Sequence, residues 1–414
     1  MTNWKKLKIE DCAEVIGGGT PSTKKKEYWD GDISWITPKD LSNYNNRYIS
    51  KGSRNISEKG LKYSSARLLP KNSVLLTTRA PIGYLAISKK ELATNQGFKS
   101  LIMKNGNVPE FFYYLLKNNI NKLLQYASGT TFMELNATNL KSIEFYIPEV
   151  KEQKRIASIL SALDDKIELN NKTNKILEEM AQTIFKEWFI NFNFPNEDGK
   201  PYKKSGGEMI DSELGKIPKG WKVITLKDII SIAKGKKPNA TSDKITEKFT
   251  MPYLTINCYN NEATEYTEYN EKMHVKELDI IMVMDGNAGK IFYGKEGILS
   301  STMAKLIVED SNLNELVFYF LKSIEYDLMY HTVGSVIQHA DKQYMLNKKF
   351  CVSSDNLERL SDIFKCIRKE ISLNKKENEK LSNIRDSLLP KLMTPKGRRA
   401  DGEIRVNGSG NNGV

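Results

Sequence analysis

Apolar residues along this chain fall into two kinds of run. Short bursts bounded by Gly, Pro, Asn and Asp predict strands at 73–78, 84–88, 279–284 and 303–308. Elsewhere they recur at alternating steps of four and three: Ile156, Leu160, Leu163, Ile167, Asn170, Asn174, Leu177, Ala181, Ile184 and Trp188. That is a sustained heptad seam on one long helix. The spacing returns 204 residues later through Leu360, Phe364, Ile367, Ile371, Asn374, Asn378, Leu381, Arg385, Leu388 and Leu392. The asparagines occupy the same two steps in both seams.

The first seam is centred on residue 172 and the second on 376. Antiparallel pairing therefore sets Asn170 opposite Asn378 and Asn174 opposite Asn374. Parallel pairing would also match asparagines, but chain order makes it harder to connect. A polar pair in a seam sacrifices stability and fixes register. Two separate amphipathic helices with exposed asparagines are the alternative, and they leave the repeated register unexplained. A seam of about 33 residues at ~1.5 Å each predicts a rod of roughly 50 Å with a globular head at each end.

The heads repeat as well. NWKKLKIEDCAEVIGGGTPS returns as GWKVITLKDIISIAKGKKPN, matching Trp4 with Trp221. LLPKNSVLLTTRAPIGYLAI returns as VKELDIIMVMDGNAGKIFYG, and FFYYLLKNNINKLLQYASGTTF as LVFYFLKSIEYDLMYHTVGSVI. Each copy predicts short strands, then a single helix (Pro109 to about Tyr126, or about Leu313 to Tyr330), then a turn and a last strand before its long helix. The boundaries that follow are 1–150 and 216–352 for the heads, 151–192 and 353–396 for the long helices, 193–215 for a linker and 397–414 for a flexible tail.

Net charge is +12 with a pI near 9.1, which favours an acidic partner, with nucleic acid ahead of membrane. Residues 1–150 carry 22 Lys and Arg against 13 Asp and Glu, a net of +9, whereas 216–352 carry 18 against 17, a net of +1. No apolar run approaches the ~20 residues of a membrane span, and the N-terminus has no apolar signal core, so a cytoplasmic protein is expected. Four scattered cysteines and three histidines argue against a zinc site or a disulfide framework.

In these features the chain resembles the specificity (S) subunit family of Type I restriction-modification systems. The stretches that carry the resemblance are EQKRIASILSALDDKIELNNKTNKILEEMAQTIFKEWF (152–189), DSELGKIPKGWKVITLKDI (211–229) and SLLPKLMTPKG near the end. The resemblance implies an α+β chain. It would hold two globular α/β target recognition domains in pseudo-twofold tandem repeat, with two long helices forming an antiparallel coiled coil. It implies that each domain reads one half of a bipartite, gapped sequence in double-stranded DNA, and that the helices set the gap and dock two methyltransferase (M) subunits. Restriction (R) subunits would join in the full complex. S-adenosylmethionine is expected on the M subunits, and neither cofactor nor catalysis on this chain. The residues agree: no Asn/Asp-Pro-Pro-Tyr/Phe element, Gly-x-Gly-x-x-Gly fingerprint or phosphate loop is found. NFNFP at 191–195 resembles the first only superficially, and Asp164-Asp165 reads as solvated helix surface. A self-contained methyltransferase and a coiled-coil adaptor are the competing readings.

Candidate DNA contacts follow from chemistry. Gly17-Gly18-Gly19 permits close backbone approach, Thr20 and Ser22 can donate to phosphate, and Lys24 and Lys25 supply charge; a plain connecting turn is the alternative. Arg79 and the pair Asn95-Gln96 have the side chains that read guanine and adenine, with Lys39 nearby. Ser128 and Thr130 follow the predicted helix and could contact backbone. In the second copy the candidates are Lys236, Lys237, Asn257, Asn287, Ser300, Ser301 and Ser335, with Gly286 or Asn287 standing where the first copy has Arg79.

Overall fold

The computed structural model describes residues 4–129, 133–259, 264–334, 338–353 and 357–395, which leaves the tail from Asp401 outside them. The chain divides into two compact units. Unit 1 takes the described residues up to Asn170 and from Lys376 onward, and unit 2 is Asn171–Lys375. The long helices Val150–Phe185 and Leu357–Leu392 each contribute one part to either unit.

Unit 1 is built on a five-stranded sheet in the order Ala13–Gly17, Lys99–Met103, Val74–Thr78, Ile82–Ser88, Tyr48–Ile49. Successive side chains of a strand point to opposite faces. Val74 and Leu76 accordingly meet Phe111, Phe112 and Tyr114 of the helix Pro109–Asn118, while Leu75 joins Ile36, Leu69 and Phe98 in a second cluster. Burial on both faces explains why the strand reads as an unbroken apolar run and not as an alternation. A three-stranded sheet, Arg54–Ile56, Trp29–Ile36, Ala93–Thr94, lies beside it in sequence. Lys5–Lys8 pairs antiparallel with Glu144–Ile147, the strand that leads into the first long helix.

Unit 2 repeats the plan. Its main sheet runs Ile230–Lys234, Met303–Val308, Ile280–Val283, Ile291–Tyr293. Ile280 and Met282 face the helix cluster, and Ile281 and Val283 a separate one. Trp221–Thr225 pairs with Lys349–Ser353, the counterpart of the terminal strand pair in unit 1.

The single helix expected in each copy is broken. Pro109–Asn118 gives way at Asn119 to Ile120–Gln125, and Asn314–Ser323 gives way at Ile324 to Glu325–Tyr330. Asn119 helps its own break, because its Nδ2 donates to the Leu115 carbonyl at 2.8 Å.

Within each unit the two long-helix segments are antiparallel, since residue numbers rise along one as they fall along the other. In unit 1 Asp164 meets Arg385 and Asn170 meets Asn378; in unit 2 Asn174 meets Asn374 and Phe185 meets Phe364. Asn170 Nδ2 donates to Asn378 Oδ1 at 2.9 Å, and Asn374 Nδ2 to Asn174 Oδ1 at 2.9 Å. Both amide pairs expected from the seams are present. Beyond them the seams bury Ile156 and Leu160 with Leu392 in unit 1, and Ala181 with Leu360, Phe364 and Ile367 in unit 2.

Candidate nucleic-acid interface

Four segments of unit 1 converge on one end of its main sheet. Gly17 ends one strand opposite Lys99, which begins the next, and Thr78 takes a hydrogen bond from Leu135 N–H and gives one to the Gly97 carbonyl. The segments around 18–25, 79–83 and 95–98, with Ser128 and Glu134, therefore share a surface. Gly18 and Gly19 belong to internal packing, whereas Gly17 is exposed. A Cβ on Gly18 would sit 1.9 Å from the Asn95 carbonyl oxygen, and one on Gly19 2.3 Å from Ala66 N. Their freedom serves the close crossing of two loops and not the approach of a partner. Trp35 and Trp29 then pin the loop by donating to the carbonyls of Gly19 and Ser22 at 3.0 and 3.1 Å.

On this scaffold Ser22, Lys24, Lys25, Lys39, Gln96 and Ser128 are exposed. Thr20 donates to Gln96 Oε1, so the two candidate side chains touch. Lys25 Nζ bonds Tyr28 at 3.0 Å. Asn95 Oδ1 accepts from Gly97 N–H at 2.9 Å, which commits part of its amide to holding the loop. Arg79 is held beside Glu134 at 3.8 Å, and Lys99 approaches the same carboxylate at 3.9 Å. Thr130 lies outside the described residues.

Unit 2 brings its own segments together in the same way. Gly235 takes the place of Gly18, with a notional Cβ 2.1 Å from the Ser300 carbonyl. Lys236, Lys237, Asn257 and Asn287 are exposed and Ser301 is half-buried. Ser300 is corrected: it is 1 % exposed, with Oγ 3.0 Å from Thr302 Oγ1, so its side chain has no surface to offer. Ser335 lies outside the described residues.

The residue matching Arg79 is also corrected. Arg79 bridges Glu134 and Asp285 bridges His339, while Thr78 and Met284 accept matching bonds from Leu135 and Ala340. The structural partner of Arg79 is thus Asp285, not Gly286 or Asn287. Asp285 Oδ1 lies 2.7 Å from His339 Nδ1, and Lys234 Nζ lies 3.3 Å from Oδ2. Burial alone would raise the Asp285 carboxyl, but His339 and Lys234 outweigh it and hold it below the usual value. Asp285, His339, Lys234 and Glu134 were not among the sequence candidates. For Asp285 the only signal was a loop register one residue away from the one the motif alignment suggested.

The flanks of the helix pairs differ. Asp164 is no solvated residue: it is 7 % exposed and accepts from Arg385 at 2.7 Å and from Tyr114 at 2.5 Å. Its flank is covered by the globular part of unit 1, which presents the buried Arg47. On the other flank of unit 1, Lys166 meets Glu377 at 3.1 Å, and Leu169 and Ile384 stand exposed at 57 % and 48 %. The same heptad positions in unit 2 expose Ile176, Met180 and Leu373.

Among the described residues no three His, Cys, Asp or Glu side chains are grouped to hold a metal, and no helix is long and apolar enough to cross a membrane.

Comparison with known proteins agrees with this picture. The family model described as the Type I restriction modification DNA specificity domain matches twice, at residues 1–179 and 218–383. The Type I restriction enzyme MjaIX specificity subunit of Methanocaldococcus jannaschii is 36 % identical over 98 % of this chain and 94 % of its own length. The Type I restriction enzyme EcoR124I/EcoR124II specificity subunit of Escherichia coli is 29 % identical over 188 residues, 44 % of this chain and 44 % of its own length. A crystal structure of the S subunit of a Type-I restriction-modification system from M. genitalium shares the fold, with a TM-score of 0.60 at 18 % identity across 95 % of this chain and 96 % of that one.

Proposed function

The chain belongs to the Type I restriction modification DNA specificity family, and on that premise we propose that it is the non-catalytic, DNA-reading subunit of a methylating and restricting complex. Each recognition module contacts one half of a bipartite, gapped duplex target, and the paired helices set the gap and dock M subunits. S-adenosylmethionine is held by those M subunits, and R subunits join for cleavage.

One observation carries the reading. Two equivalent sheets gather their basic and polar loops at the same end, with different side chains at matching places, Arg79 against Asp285 and Gln96 against Ser301. Lysines that meet phosphate give affinity without sequence preference, while groups that reach base edges give discrimination. Equivalent frames with divergent edges suit two modules reading unlike half-sites. Docking is supported by the exposed apolar flank of the helix pair in each unit, Leu169 and Ile384 in one and Ile176, Met180 and Leu373 in the other. Aliphatic side chains at heptad spacing suit an incoming helix.

Selection from a randomised duplex pool by the chain with its M subunits tests the proposal. Two short fixed blocks with an unread gap are expected, and affinity should fall as salt rises. One continuous block would mean that a single module reads DNA. Inserting a whole heptad in both long helices should lengthen the gap, and an unchanged gap would refute the spacing role.

A further inference from the structure

The two strand-end surfaces follow one plan but are centred on opposite charges. Arg79 and Asp285 occupy the same place, each at the end of the central strand and each bridged to the returning segment, at Glu134 and His339. Neither is buried away: their side chains are 40 % and 21 % exposed. Each is also held in place by groups of opposite or complementary character, Glu134 for Arg79, and His339 with Lys234 for Asp285.

The surroundings argue against phosphate as the partner of either. A phosphate near Arg79 would also meet Glu134, and a carboxylate such as Asp285 repels phosphate outright. Charge for the backbone is offered instead by exposed lysines in the same loops, Lys24 and Lys25 in unit 1 and Lys236 and Lys237 in unit 2. What remains for the central residues is the base edge. An arginine fork matches O6 and N7 of guanine, whereas a carboxylate only accepts and so matches the exocyclic amine of cytosine. Lys234 and His339 make this feasible by offsetting the repulsion that a lone carboxylate would meet from DNA.

Resting on the reading that each module contacts one half of a duplex target, we infer that Arg79 and Asp285 are the specificity-determining residues at the centres of the two surfaces: Arg79 demands a guanine in the half-site of unit 1, and Asp285 demands a cytosine in the half-site of unit 2. The two modules thus use one position with inverted hydrogen-bond polarity.

The test is duplex-pool selection by the assembled complex carrying Arg79→Gln or Asp285→Asn. Arg79→Gln removes the fork, and its amide pairs with adenine in place of guanine. It should lower the preference for guanine at one position of one block by roughly 5- to 150-fold, the span of a bidentate base contact, with the other block unchanged. Asp285→Asn should act only on the other block, where an amide exchanges cytosine for adenine. Such a switch would not come from a merely structural carboxylate. If the wild-type complex selects two blocks and both variants select identical ones, the inference is overturned while the half-site reading stands. If the wild-type complex selects no bipartite sequence, the half-site reading itself fails and the inference falls with it.

Discussion

Asp164→Ala is the substitution whose cost follows most directly from the structure. In wild type, Asp164 accepts from Arg385 Nη1 at 2.7 Å and from Tyr114 at 2.5 Å, and lies 4.0 Å from Arg47 Nη1. Arg47 in turn bonds Tyr114 at 3.0 Å and Asp165 at 2.5 Å. Two guanidiniums thus face three carboxylates, Asp164, Asp165 and Asp386, of which only Asp164 is buried; Asp164 and Arg47 are 7 % and 3 % exposed. Removing Asp164 leaves the two cations with only the two exposed carboxylates, Asp165 and Asp386. Breaking a buried pair from one side costs about 3–5 kcal/mol, because the remaining charge stays desolvated. Arg385 keeps Asp386 at 2.9 Å and Arg47 keeps Asp165, so the lower end applies. A loss of about 3 kcal/mol corresponds to roughly 150-fold faster exchange for amides that exchange by opening of unit 1. Hydrogen exchange read by mass spectrometry over residues 109–118 and 150–170 measures it. Asp164→Leu with Arg385→Leu removes both members and should return to within about 1 kcal/mol of wild type. A single-variant loss under about 1 kcal/mol would refute the reasoning, because that is the worth of a solvated surface pair.

Gly18→Ala should disorganise the strand-end loops of unit 1, since its Cβ would lie 1.9 Å from a backbone oxygen; selection by the complex should then blur one block only, and a wild-type result would show that the loops can part freely. Asp40 is held below its ordinary 3.8: burial would raise it, but hydrogen bonds from Thr37 and Ser53 outweigh that. The folded carboxyl therefore binds its proton less tightly than the unfolded one, so its stabilisation is complete above 3.8 and is lost as pH falls through the lowered value. Asp40→Asn should flatten the denaturation midpoint of unit 1 between pH 5 and 2, and equal slopes for both proteins would count against this. Asn170→Leu with Asn378→Leu should raise stability while weakening register, because the amide pair is replaced by apolar contact; cysteine cross-linking along the seam reads the register, and a single unchanged pattern would assign that role elsewhere.

The sequence revealed the repeated and periodic parts because those signals are local. Two asparagines at the same heptad steps in each copy were enough to place Asn170 against Asn378 and Asn174 against Asn374, as observed. Strands such as Val74–Thr78 were legible as unbroken apolar runs because both faces are buried. The helix breaks at Asn119 and Ile324 were not, since the apolar pattern continues through them. Asp164 failed for a different reason: adjacent carboxylates on a helix look solvated until the module that covers one of them is known. Loops have no period at all, so motif alignment slipped by one residue and hid Asp285 behind Gly286. Burial of Ser300 was equally invisible, because it depends on the loop that crosses it at Gly235.

The junction between module and helix pair has a further property that the repeat makes visible. The residue 204 positions after Asp164 is Arg368, which is 6 % exposed, lies 3.7 Å from Glu315 and stacks over Tyr293. In unit 1 the helix supplies the carboxylate and the module the guanidinium; in unit 2 these roles are reversed. Burial pushes the Glu315 carboxyl up while Arg368 pulls it down, so the pair depends on each supplying the other's counter-charge. Each helix flank is therefore matched to the module that covers it: Arg47 set against Arg368, or Glu315 against Asp164, would bury like charges. The strand-end loops are bound by no such constraint, because Arg79 and Asp285 find their partners within their own modules. Separating the two kinds of contact lets the strand-end residues differ between copies while the junction that holds each module remains closed.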